Sequence, residues 1–258
     1  MSPSVLTLGS ARVRVWQFGT PLASTPPILY LHGFEAHPGP APFLIRLAQS
    51  REVWAPEHPG YGESSGFEAI HDVTDLVLHY RRLIEHWGVA RVDLVGHSLG
   101  GMFAAEIAAL CPHLVRRLVL VDAYGLWLDS HPAPDPFVMS ADALAQAKFA
   151  DPGWAGREPS TLPEDPTARG FARTANLAAA TKFMWPVADR GLARRLPFVH
   201  APTVVLHGAA DGLVPPAHAE AFAHLIPDAR VVRIPNAGHL PMLEQEDAFL
   251  TAVGQALR

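Results

Sequence analysis

Val92-Asp93-Leu94-Val95-Gly96-His97-Ser98-Leu99-Gly100-Gly101-Met102-Phe103-Ala104 is the stretch on which the reading of this chain turns. The apolar run Val92 to Val95 predicts a strand, the alanine-rich stretch after Leu99 predicts a helix, and between them stands the pattern G-x-S-x-G. A serine on so tight a strand-to-helix bend is held in a strained backbone conformation, with its hydroxyl projecting clear of the sheet. Gly96 lets the strand end pack closely, and Gly100, Gly101 and Ala104 let the helix approach the sheet without side-chain clash. The helix then points its amino end at Ser98, where its dipole and free amides favour negative charge developing on a substrate oxygen. Glycine and serine are common, so the five-residue pattern means little without this strand-turn-helix setting.

Outward from Ser98 the chain alternates strands and helices. Val5 to Leu8 and Val13 to Phe18, joined near Gly9 and Ser10, predict an antiparallel hairpin leading to a strand at Ile28 to Leu31 and another at Val53 to Ala55. Val73, Leu76, Val77, Tyr80, Leu83, Ile84 and Trp87 form one apolar helical face, with Asp72, Asp75, Arg81, Arg82 and Glu85 off it. Leu118 to Val121, Val204 to Leu206 and Val231 to Ile234 are short, continuously apolar strands of the kind buried on both faces of a parallel sheet, and Phe249, Leu250, Val253 and Leu257 mark a closing helix. This alternation predicts an α/β fold with a doubly wound, mostly parallel sheet. One segment breaks the rhythm: from Gly125 to Leu196 no strand is evident, and helical stretches alternate with proline-rich loops. The expected division is an α/β core at 1–124 and 197–258, with a helical cap inserted at 125–196 over the carboxyl ends of the strands, where ligands bind in open α/β sheets.

Composition narrows the function classes. The chain has 258 residues, 49% hydrophobic and 17% charged, which are globular values sufficient for one sheet with an insertion. A net charge of -5 supplies no basic field for nucleic acid. Cys111 is the single cysteine, so it forms no internal disulfide and reads as a small core residue. The first residues lack a basic segment followed by an apolar core, and no apolar run is long enough for a bilayer. The expectation is a cytoplasmic enzyme without membrane contact, a monomer or homodimer.

A serine hydroxyl needs a base that takes its proton and later returns it. Of fourteen histidines, His239 is best placed, after the last strand and the turn-forming Pro235-Asn236-Ala237-Gly238. His32 and His207 are the alternatives, His58 and His200 read as packing or hydrogen-bonding residues, and His97, next to Ser98 along the turn, points its side chain elsewhere. The base needs a carboxylate to fix its tautomer; Asp211, in the glycine-bearing loop His207-Gly208-Ala209-Ala210-Asp211, satisfies the order serine, acid, histidine. Asp122, ending the strand after the serine's helix, is the rival acid. For the oxyanion, the amide of Leu99 at the helix start is one donor, and Phe34 in His32-Gly33-Phe34 is the second.

With these residues together, the chain resembles the α/β-hydrolase family, specifically its capped serine hydrolases. Besides Ser98, Asp211 and His239, the resemblance includes His32-Gly33 at the oxyanion loop and Pro59-Gly60-Tyr61-Gly62-Glu63-Ser64, similar to the family's P-G-x-G-x-S turn after the fourth strand. It implies an eight-stranded sheet, and it specifies the fold but not the substrate. Epoxide hydrolases and dehalogenases of the family use an aspartate where Ser98 stands. Hydrolases of ring-cleavage products usually carry asparagine before the serine and tryptophan after the histidine, places held here by His97 and Leu240. The stretch Gly96 to Met102 looks most like esterases and enol-lactonases, so the expected activity is hydrolysis of a small-molecule carboxylic ester through an acyl-enzyme on Ser98. A carbon-carbon bond hydrolase, an enol-lactonase and a non-turnover ligand receptor are the alternatives. No metal or organic cofactor is required. Trp185, Phe34, Leu240, Tyr124 and Met139 are the expected pocket residues, with Phe149, Trp154, Phe171, Phe183 and Met184 divided between pocket wall and cap core.

Overall fold

A computed structural model of the chain describes residues 3–22 and 25–258. Among the described residues it has one eight-stranded sheet built from β1 (Ser4–Leu8), β2 (Ala11–Phe18), β3 (Ile28–Leu31), β4 (Val53–Pro56), β5 (Val92–His97), β6 (Val115–Val121), β7 (Thr203–Gly208) and β8 (Ala229–Ile234). Their spatial order is β1-β2-β4-β3-β5-β6-β7-β8. The first hairpin is antiparallel, β2 pairs antiparallel with β4, and every later pairing is parallel. Residues of β3, β4, β5 and β7 are buried along their whole length, as expected of strands covered on both faces.

The helices are α1 (Pro42–Leu47), α2 (Val73–His86), α3 (Leu99–Leu110), α4 (Ala141–Lys148), α5 (Pro166–Met184), α6 (Ala217–Leu225), α7 (Pro241–Glu244) and α8 (Glu246–Ala256). The apolar cluster that holds α2, α3 and α6 lies on one face of the sheet, and that of α1 and α8 on the other. Asp72 starts α2 by accepting the amides of Thr74 and Asp75, satisfying donors that a helix start leaves free. Trp87, at the carboxyl end of α2, packs with that helix's apolar face against the same core cluster, its indole 4.2 Å from that of Trp54.

Residues 125–196 contain α4, α5 and short 3-10 turns but no strand. The segment leaves the sheet after β6 and returns before β7. Asn176, Ala179, Ala180, Phe183 and Met184 bury one side of α5. Among the described residues no helix is long and apolar enough to cross a membrane.

Candidate active site

β5 runs two residues further than its apolar core suggests, through Gly96 and His97, so the chain turns at Ser98 itself. Ser98 has φ 58 and ψ -121, a left-handed region that a non-glycine residue adopts only when its surroundings impose it. Its amide donates to Val121 O at 2.8 Å, and its carbonyl accepts from Gly101, Met102 and Tyr124. The bend is possible because the glycines flanking it stand where side chains cannot: a Cβ on Gly96 would lie 2.3 Å from Gly100 O, and one on Gly100 would lie 2.3 Å from Leu31 O. The amides of Leu99 and Phe34 donate to no protein acceptor among the described residues, and both belong to segments bordering Ser98.

Ser98, Asp211 and His239 come from the carboxyl ends of β5, β7 and β8 and form one hydrogen-bonded line. Ser98 Oγ donates to His239 Nε2 at 2.8 Å, and His239 Nδ1 donates to Asp211 Oδ2 at 2.8 Å. The other carboxylate oxygen of Asp211 accepts from Leu213 and Val214 amides at 2.8 and 3.0 Å. Burial pushes the Asp211 carboxyl up, but His239, its hydrogen bond and His207 outweigh that and hold it below the ordinary carboxylate range. His239 is fixed at its own backbone as well, its amide donating to Lys148 O and its carbonyl accepting from His97 Nε2, both at 2.8 Å. That contact assigns the proton of His97 to Nε2, and burial, with His239 nearby, brings the pKa of His97 down to about 3.

The alternative candidates sit beside this line rather than in it. Asp122, in a left-handed conformation with φ 46, turns one carboxylate oxygen to the Gly208 amide at 2.8 Å and leaves the other buried without a partner. Burial first, and then the charge of Asp211, keep the Asp122 carboxyl well above its usual range. His207 donates from Nε2 to Val214 O at 2.9 Å. Asp122, His207 and Asp211 bring three ligand-type atoms within 4.8 Å of one another. Asp211 is already engaged by His239 and two amides, so this cluster supports the carboxylate rather than offering a free donor set. His32 lies at the start of the loop after β3: its Nδ1 donates to Gly33 O at 2.8 Å and its Nε2 accepts the His58 amide at 3.0 Å.

Ser98 and His239 open onto a cavity of about 610 Å³. Phe34, Met139 and Leu240 line it, as do Tyr30, Phe43 and Met242 from beneath the loops. Two expected pocket residues do not. Trp185 is 54% exposed, because α5 ends at Met184 and the extended backbone of the next residue carries the indole away from the buried side. Tyr124 is buried, its ring 5.8 Å from the His239 imidazole, and does not line the cavity. Phe149, Phe183 and Met184 are core and Phe171 is exposed, so none of these walls the cavity. The charged residues Glu35, Lys148 and Glu158 do line it, and sequence reasoning passed over them because no local pattern brings them together. Their one visible signal is the position of Glu35, next to Phe34, the expected oxyanion donor.

Residues 28–252 match the model of the alpha/beta hydrolase family. The chain is 32% identical, over 80% of its length, to polyketide synthase ThaQ of Burkholderia thailandensis, and spans only 10% of that much longer protein. It is 30% identical to a pimeloyl-[acyl-carrier protein] methyl ester esterase of Xanthomonas oryzae, covering 88% of this chain and 93% of the relative. Among solved structures, the enol-lactonase of Burkholderia xenovorans superimposes with a TM-score of 0.77 at 19% identity, covering 98% of this chain and 99% of that one. The match to the family model and the full-length similarity to the esterase agree with the sheet order and the serine turn: the chain belongs to the alpha/beta hydrolase family.

Proposed function

We propose that the protein is a serine hydrolase of small carboxylic esters. The observation that carries this reading is the line from Asp211 through His239 to Ser98 Oγ, every link 2.8 Å long, at the floor of the cavity. Ser98 Oγ attacks the ester carbonyl while its proton passes to His239 Nε2, and Asp211 stabilises the imidazolium that forms. The negative charge gathers on the former carbonyl oxygen, for which the Phe34 and Leu99 amides are the available donors, backed by the amino end of α3. Collapse of the tetrahedral intermediate breaks the bond to the alcohol, which leaves with the proton held by His239. Water then gives a proton to His239 Nε2 and attacks the acyl carbon; a second collapse returns the proton to Ser98 and frees the carboxylic acid.

Residues 125–196 act in this reading as a cap, and its support is that Met139, Leu144 and Leu162 come from the insertion to wall a cavity whose reactive groups belong to the sheet. The mixture of apolar wall and charged side suits an acyl group with a polar substituent better than a plain hydrocarbon chain.

Steady-state assays with p-nitrophenyl butyrate, a lactone and a ring-cleavage dienone, run beside labelling by a fluorophosphonate, test the proposal. Ester turnover that falls by about 10⁴-fold or more in Ser98→Ala, with loss of labelling, is expected. Retained turnover in that variant overturns the serine mechanism. Preference for the dienone redirects it to carbon-carbon bond cleavage, and labelling without repeated turnover redirects it to a ligand receptor.

A further inference from the structure

The backbone bonds that fix the candidate catalytic loops converge on the carboxyl end of α4, inside the helical insertion. The last carbonyls of a helix have no partner within it and must find donors elsewhere. Here the donors are the catalytic loops: Ala147 O accepts the amide of Gly212, next to Asp211, at 2.9 Å, and Lys148 O accepts the amide of His239 at 2.8 Å. The approach is so close that a Cβ on Gly238 would stand 2.5 Å from Lys148 O. A second tie lies alongside, where the Glu244 carboxylate accepts the Gly238 amide at 2.6 Å and the Asp151 amide at 2.9 Å.

The side chain of Lys148 reaches the remaining loop. Its ammonium, 8% exposed, pairs with Glu35, the residue after Phe34, and with Glu158 at 2.7 Å. Glu35 is held to the insertion by two further contacts, its carbonyl accepting from Asn176 Nδ2 at 2.9 Å and its carboxylate meeting Arg173 at 3.4 Å. One residue therefore touches the base loop through its carbonyl and the oxyanion loop through its ammonium, while its chain neighbour holds the acid loop. Lys148 is the buried member of this pair, and taking a partner from its ammonium leaves that charge less compensated.

We infer that Lys148 is a positioning residue: through Glu35 it fixes the Phe34 amide relative to His239, so the insertion is part of the apparatus that sets the rate and not only a cover over it. This rests on the hydrolase reading above. Displacing a donor by an ångström costs roughly a hundredfold in rate without necessarily weakening substrate binding.

The test compares p-nitrophenyl butyrate kinetics and fluorophosphonate labelling rates in K148M, E35Q, K148M/E35Q and K148R, with folding followed by circular dichroism. Expected is a fall in kcat of about 10- to 100-fold in K148M and E35Q with KM within about threefold, and a matching slowdown in labelling. The double variant is expected to lose no more than about threefold beyond the worse single one, because both changes break one link, and K148R to recover most of the rate. A kcat within about threefold of the parent in E35Q, a rise in KM with kcat unchanged, or losses that multiply in the double variant overturns the inference. Should K148M fail to fold, E35Q decides, since it keeps the shape of a partly exposed side chain. A parent protein inert to both ester and probe refutes the hydrolase reading itself and takes this inference with it, whereas an active parent with indifferent variants refutes the inference alone.

Discussion

At the scale of single residues, Asp122 and Asp211 present the sharpest contrast. Each follows a parallel strand, β6 or β7, and each is buried within reach of His207, yet only Asp211 bonds His239. Two neighbouring buried carboxyls do not both ionise easily, and the environment separates them, Asp211 held low and Asp122 held high. In the catalytic reading, Asp211→Asn lowers kcat by about 10⁴-fold, because the amide no longer holds the imidazole in the right tautomer. Asp122→Asn keeps kcat within about tenfold, since its partner is the Gly208 amide. Its effect falls on stability instead. A carboxyl whose folded pKa is raised contributes stability in full below its unfolded pKa, about 3.9, and loses it as pH rises toward the folded value. Asp122→Asn removes that loss, so urea unfolding should show a gain over the parent at pH 8 that is absent at pH 4. An equal change at both pH values contradicts a raised Asp122 carboxyl. The sequence ranks Asp211 above Asp122 and leaves Asp122 a capping or loop-anchoring carboxylate, but which group each one meets depends on turns that no local pattern reveals: Asp122, at a φ of 46, accepts the Gly208 amide.

At the scale of elements, legibility follows burial pattern. α3 is apolar apart from Glu106, which pairs with Arg195, and is buried along nearly its whole length, so the alanine-rich stretch after Ser98 reads as a helix packed against the sheet. Phe103 illustrates what that packing is worth: it lies 2% exposed, with ring centroids 5.0 Å from His58 and 5.1 Å from Phe183, joining α3 to the β4 end and to α5. Phe103→Ala should lower unfolding free energy by about 3–5 kcal/mol, read from urea denaturation, through lost transfer energy and the cavity left behind. A loss under about 1 kcal/mol would mean that α5 collapses into the space. α4 and α5 were harder to read. Their apolar residues recur at helical spacing, but the spacing does not say which neighbour they face, and so Trp185 stands with Phe34 as a first choice for the pocket although α5 ends at Met184. Lys148 carried no signal at all, because a cation in a helix ordinarily faces water, and its value here comes from carboxylates 113 residues upstream and 10 downstream in the chain.

At the scale of the whole molecule, the fold stores neutral histidines under and around its site. Burial lowers the pKa of His32, His37, His58 and His97 beneath the loops after β3, β4 and β5, and of His79, His207 and His218 elsewhere; for His58 and His97 it reaches about 3. The hydrogen bonds of His32 require the neutral form, since its Nε2 accepts the His58 amide and has no room for a proton, while His58 Nε2 donates to His32 O at 2.8 Å and its Nδ1 bonds the Tyr80 hydroxyl. For such groups the stability is present above the unfolded pKa, near 6.5, and is lost as pH falls, because the unfolded chain takes up protons that the folded one refuses. Each contributes up to about 1.4 kcal/mol per pH unit. Glu57, Glu106 and Asp122 are shifted upward, chiefly by burial, and oppose the trend, but seven lowered histidines outnumber these three carboxyls. Urea unfolding should therefore show stability falling steeply from pH 7 to pH 5, with net proton uptake on unfolding. His58→Gln should flatten that slope by about one proton while lowering stability at pH 7 through the lost hydrogen bonds. A flat profile across this window, or an unchanged slope in His58→Gln, would show that these imidazoles are protonated in the folded protein. Their stacking, with His32 and His58 centroids 3.7 Å apart, argues against that, since two adjacent imidazolium rings would repel across a gap that no carboxylate hydrogen bond bridges.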